Sequence, residues 1–124
     1  MTKLKNNTRK HILKKYILLM LITLSTQSYA DGKWCEGKIK NVWVDYSGRL
    51  YITGSWRSEH TQICNLNIEW KGVTTKVCQA WLAEAQLAFA AQSNVIMHYD
   101  DVSSCSEIPS YTSAPRPTYL MIKN

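Results

Sequence analysis

The chain has 124 residues, 45% of them hydrophobic, and a formal charge of +6 from 15 Lys and Arg against nine Asp and Glu. Six of the cations lie within the first 30 residues and every acid lies beyond them, so from Asp31 onward nine basic residues meet nine acidic ones. A neutral chain lacks the electrostatic footprint of a nucleic-acid binder or of a protein held on anionic membranes, and neither class draws support from the charge.

The first 30 residues carry Lys3, Lys5, Arg9, Lys10, Lys14 and Lys15, then the apolar run "YILLMLITL", then "SYA" with Ser28 and Ala30 at −3 and −1. A basic leader, a short apolar stretch and a small-residue cleavage site predict a secretory signal over 1–30, cut before Asp31. The run falls short of the roughly 20 apolar residues that span a bilayer, so no membrane insertion is expected after cleavage. The 94 residues from Asp31 to Asn124 suffice for a single small domain over 31–124 with a thin core. An exported protein, secreted or periplasmic in a bacterium, is expected.

In chain order, "KIKNVWVD" (38–45) is rich in β-branched and aromatic residues, and "YSGR" is a turn whose Gly48 supplies positive φ. "RLYITGSW" (49–56) alternates, with Leu50, Ile52, Gly54 and Trp56 on one face and Tyr51, Thr53 and Ser55 on the other. The two form a hairpin. After the polar tip "RSEH", "TQICNL" (61–66) is a third strand, and Gly72 marks a turn. Thr74 or Thr75 caps a helix running to about Gln92, with Cys78, Leu82, Ala85 and Phe89 as its apolar stripe and Trp81 and Ala88 beside it. "VIMHY" (95–99) and "TYLMI" (118–122) are the last strands, separated by a loop that holds Pro109, Pro115 and Pro117. The order β-β-β-α-β-β predicts a mainly β domain with one helix, a five-stranded OB-fold-like Greek-key barrel whose closure would hide the sheet edges.

Cys35, Cys64, Cys78 and Cys105 are an even set in an exported chain, and two disulfides are expected. Zinc is disfavoured because there is no Cys-x-x-Cys pair and neither His60 nor His98 has ligand spacing to a cysteine. Cys78, in the first turn of the helix, reads either as a reactive thiolate favoured by the helix dipole or as half of a staple. No histidine lies near it in sequence, Cys78 falls on the apolar stripe of the helix, and Cys64 faces inward fourteen positions earlier, which favours the staple. Cys35 then falls to Cys105, although the two other connectivities stay open. Loop closure gives about 3 kcal/mol for the short ring and roughly 4 to 5 for the long one.

The stretch "WLAEAQLAFAAQSNVIMHYDDVSSC" (81–105) resembles the helix, strand and cysteine of the cholera-type B subunit, and "AQLAFA" is similar to the helix packing of the subtilase type. The architecture of the mature chain thus resembles the OB-fold B subunits of bacterial toxins built from one catalytic and five binding chains, the typhoid type among them. The resemblance implies a bridge from Cys35 to Cys105, a homopentamer, and binding of host glycans or a partner protein. It departs where the cholera-type sugar-stacking tryptophan would stand: Cys105 is followed by Ser106 and Glu107, so that pocket does not carry over.

Two functional classes are carried forward. One is an exported, oligomeric binding module for glycans or a partner protein; the other is a monomeric periplasmic protein-binding or hydrolase-inhibitor domain. Neither is an enzyme, and no cofactor or nucleic acid is expected. A redox enzyme, the third class, requires a titratable thiol. The tryptophans at 34, 43, 56, 70 and 81 suit sugar stacking or an interface as well as a core. The tip "WRSEH" supplies the exposed candidates Trp56, Arg57, Glu59 and His60, and "YTSAPRPTY" (111–119) adds Tyr111. Asp100 and Asp101 lack a nucleophile or metal partner for acid/base chemistry, and His98 reads as a packed strand residue.

Overall fold

The computed structural model describes residues 32–124; the expected signal segment lies outside the described residues. Five antiparallel strands form one sheet in the order β3-β2-β1-β4-β5: β1 (Lys33–Val44), β2 (Arg49–Gly54), β3 (Thr61–Asn65), β4 (Asn94–Tyr99) and β5 (Tyr119–Lys123). Among the described residues a single α-helix, α1 (Thr75–Ala91), lies between β3 and β4, so the element order is the expected one.

β1 is the spine. Lys33 to Lys38 pair with β4, and Ile39 to Val44 pair with β2 across a register shift between Ile39 and Asn41. The strand starts five residues earlier than its composition predicts. Gly37 lies in this earlier part of the strand, where Ser55 and Trp56 approach so closely that there is no room for a Cβ. The β1–β2 turn is built by Asp45, whose Oδ1 accepts from Ser47 N (3.0 Å), Ser47 Oγ (2.7 Å) and Arg49 N (3.0 Å), with Gly48 at φ +86°.

Thr74 caps α1 by accepting from Val77 N, and Gln92 ends it in the left-handed region at φ 52°. The buried stripe of the helix is Cys78, Trp81, Ala85 and Ala88. Phe89, expected inside, is 43% exposed. Small alanines let the helix approach the sheet closely, and that rotates the larger Phe89 to the margin. The core joins this stripe to Ile39, Leu50, Ile52, Ile63, Val95, Met97 and Tyr99.

Both disulfides form as favoured above. Cys64–Cys78 ties the end of β3 to the first turn of α1, and Cys35–Cys105 ties β1 to the short 3-10 turn Cys105–Glu107, with Cα separations of 5.5 and 5.6 Å. All four cysteines are thereby paired. Such pairs belong to an oxidising, non-cytoplasmic compartment. No helix among the described residues is long and apolar enough to cross a membrane.

The barrel does not close, which corrects the sequence expectation. β3 and β5 end the sheet at opposite sides and share no ladder. Between them runs the strap 100–118, which touches β3 through one parallel bridge, Thr61 with Tyr111. Pro109, Pro115 and Pro117 have no N–H to donate, so the strap cannot extend a ladder across the gap. Side chains fill it instead: Ile108, Ala114 and Pro117 are buried there.

Candidate functional site

Every residue of β2 after Arg49 is buried, on both faces. Leu50 and Ile52 point into the core, while Tyr51 and Thr53 lie on the outer face beneath a second layer of aromatic side chains. Trp43, opposite Tyr51 in the β1–β2 register, stacks on it with ring centroids 4.3 Å apart. His60 meets Trp43 edge-on at 5.3 Å, and Tyr111 meets both Tyr51 and His60 at 5.8 Å.

His60 is held by two donors. Trp43 Nε1 donates to His60 Nδ1 at 3.2 Å, and Thr53 Oγ1 lies 2.6 Å from the same nitrogen. A nitrogen that accepts from the indole cannot carry a proton, so the ring holds its hydrogen on Nε2 and offers that N–H as a donor.

Tyr111 stands at φ +52°, a left-handed conformation uncommon for a bulky residue. Three backbone hydrogen bonds fix it: Tyr111 N donates to His60 O (2.7 Å), and Tyr111 O accepts from Gln62 N (3.1 Å) and Ala114 N (3.3 Å). Its ring remains 46% exposed. The strap therefore sets one aromatic side chain, in a defined orientation, at the rim of the β1–β2–β3 face.

The other candidates separate from this cluster. Trp56 packs flat over Gly54 and Gly37 against the core. Arg57 donates through Nε to Ile108 O (3.0 Å) and through Nη2 to Ser110 Oγ (3.3 Å), so it ties the hairpin tip to the strap. Glu59 is exposed. Of the five residues expected, His60 and Tyr111 are brought together, and Trp43, Tyr51 and Thr53 join them. The signal for Trp43 and Tyr51 was their position opposite one another in the hairpin, masked because the same strands also supply the core.

No family model, curated protein or solved structure matches the chain. Its chemistry is therefore read from its own side chains. A second aromatic group lies on the sheet's other half, where Trp34 Nε1 donates to Tyr119 Oη at 2.7 Å and His98 stacks on Tyr119 at 5.3 Å. Asp100 is 3.7 Å from His98 Nδ1 and largely exposed, a surface pair of modest strength. A cleft of about 560 Å³ between β1 and the end of α1 is bordered by Lys38, Phe89 and Gln92. Two of its polar side chains are engaged locally: Lys38 Nζ donates to Gln92 O, and Gln92 Nε2 donates to Phe89 O.

Proposed function

We propose that the chain is an exported, non-enzymatic binding module that takes a glycan on the outer face of β1, β2 and β3. The observation that carries the reading is Tyr111. A left-handed tyrosine costs about 1–2 kcal/mol of backbone strain, and such strain persists where the surrounding structure has a use for it. Here its product is a half-exposed ring beside the His60 N–H donor and the Trp43–Tyr51 stack. An aromatic face beside fixed polar groups suits the apolar C–H patches and hydroxyls of a sugar.

Fold-level analogy points the same way. In OB-folds the face of strands 2 and 3, with the loops between strands 1 and 2 and between 4 and 5, is the surface on which oligosaccharides and oligonucleotides bind. The balanced charge from Asp31 onward favours the saccharide. The basic leader and the two disulfides fit export, and the resemblance to toxin B subunits adds a pentamer to the reading. A glycan array probed with the oxidised chain from Asp31 to Asn124 tests it. Binding that Tyr111→Ala abolishes at unchanged fold supports the proposal; silence on the array, or binding indifferent to Tyr111, contradicts it.

One observation favours a protein partner instead. Trp34 (63% exposed), Tyr119 (37%) and Met121 (44%) share the surface of β1, β4 and β5, and β5 is an edge strand. A monomer that ignores every glycan and is captured through Trp34 meets that reading.

A further inference from the structure

Next to the Tyr111 face a cleft of about 330 Å³ opens, bordered by the β1–β2 turn, β2, β3 and the strap. Its size is at the low end of small-ligand pockets, room for one ring rather than a chain. Gln62 is one of its walls. The side chain is 1% exposed, its Nε2 donates to Cys64 O at 3.3 Å, and its Oε1 has no hydrogen-bond partner. A buried acceptor left without a donor is a standing cost to the fold, and a ligand hydroxyl removes it.

The other walls complement that acceptor. Asn65 Oδ1 accepts from Asn67 N (2.8 Å) and Ile68 N (3.3 Å), which orients the amide with Nδ2 as a donor. Arg49 makes one contact, to Asp45 Oδ2 at 3.5 Å, and a guanidinium has five N–H groups. Thr112, the residue after Tyr111, brings a hydroxyl. Trp70 supplies the apolar side. It is held by reciprocal backbone hydrogen bonds with Val73, around a turn whose central residues Lys71 and Gly72 both have positive φ, the geometry of a type I′ turn. Lys71 Nζ lies 4.6 Å over one side of the indole and donates to Ala114 O.

We propose that this cleft is the primary subsite for a single neutral pyranose ring, its hydroxyls donating to Gln62 Oε1 and accepting from Arg49 and Asn65, its C–H face on Trp70. The inference rests on the glycan reading and names the sugar's class. Neutrality follows from the walls. Among the lining residues the one cation, Arg49, is matched by Asp45, the Lys71 ammonium beside Trp70 is turned to Ala114 O, and the group in want of a partner is a carbonyl, which repels a carboxylate.

The test is an NMR titration of the oxidised chain with methyl glycosides of mannose, galactose, glucose and N-acetylglucosamine, and with the methyl glycoside of N-acetylneuraminic acid. A neutral glycoside is expected to shift the Trp70 indole N–H and the Gln62 side-chain amide. Gln62→Leu, which removes the unpaired acceptor at similar volume together with the Nε2 hydrogen bond to Cys64 O, is expected to weaken binding about tenfold or more with the fold retained. Thr112→Val, at an exposed strap position, is a second probe should Gln62→Leu disturb β3, and it too should weaken binding. Array binding that Tyr111→Ala abolishes while Gln62→Leu and Thr112→Val leave it unchanged overturns the cleft and spares the glycan reading. Preference for the acidic sugar at Trp70 overturns neutrality, and absence of both array binding and monosaccharide shifts overturns both proposals.

Discussion

Trp56 is the residue on which a binding role and a packing role diverge most sharply, and Gly54→Ala tests them. A Cβ at Gly54 would fall within 3.0 Å of three atoms of the Trp56 indole, closer than real side chains approach. The backbone there is not in the left-handed region, so alanine is penalised only by the ring. The ring must lift off Gly54 and Gly37, and overpacking of this kind costs about 1–3 kcal/mol. For a domain of this size that is a fall of roughly 4–8 °C in Tm per kcal/mol. Trp56→Ala alone should cost roughly 2–3 kcal/mol, as expected for a large side chain only partly buried. In that background Gly54→Ala has nothing to strike and should be neutral, or stabilising by about 0.5 kcal/mol through the unfolded chain. Urea unfolding of the two single variants and the double closes the cycle, with an expected coupling of at least ~1 kcal/mol. If Gly54→Ala costs the same with and without the indole, the packing assignment of Trp56 is wrong.

The remaining predictions concern the sulfurs, the strained tyrosine and the first turn. Replacing all four cysteines by alanine removes about 3 kcal/mol for the short ring and roughly 4–5 for the long one, against a total stability of about 5–15 kcal/mol; circular dichroism should show an unfolded chain at 25 °C, and a cooperative urea transition in that variant contradicts the estimate of a thin core. Tyr111→Gly should be more stable than Tyr111→Ala by about 1 kcal/mol because glycine tolerates positive φ, whereas the opposite order, normal within regular structure, denies the strain. Although partial desolvation pulls the Asp45 carboxyl upward, hydrogen bonds from Ser47 and Arg49 and the charge of Arg49 hold it below its ordinary value. A depressed carboxylate contributes stability above its unfolded pKa and loses it as pH falls through the folded one. The Ser47 and Arg49 amides should therefore shift below about pH 4 and stay still in Asp45→Asn; movement of those amides at pH 5 to 6 counts against the turn as described.

Much of the scaffold could be read from local chemistry. Thr74 and Gly48 announce the helix start and the first turn because cap and turn residues act on their own neighbours. The pairing of Cys64 with Cys78 was favoured, though not fixed, by two inward-facing positions a short loop apart. Three features were illegible because they depend on what approaches from elsewhere in the chain. β1 starts at Lys33 rather than at residue 38, running through Gly37, on which Ser55 and Trp56 pack. The helix stripe passes through Ala88 rather than Phe89 because the distance to the sheet, not side-chain size, selects the buried face. Closure of the barrel fails because proline spacing in the strap matters only once β3 and β5 are placed. The site divides in the same way: His60 and Tyr111 were visible as exposed polar and aromatic residues on loops. Trp43, Tyr51 and Gln62 lie on strands whose alternate residues form the core, and nothing local distinguishes their outer layer from the inner one.

The face of the sheet that meets the ligand separates the glycan reading from the protein-partner reading. The most direct measurement is a ¹H–¹⁵N NMR map of the oxidised chain with the strongest glycan from the array. Perturbations are predicted at the Trp43 indole N–H and at the amides of His60, Gln62 and Tyr111. A map confined to Trp34, His98 and Tyr119, with Trp43 and Tyr111 unmoved, would place the ligand on the opposite half of the sheet and contradict it.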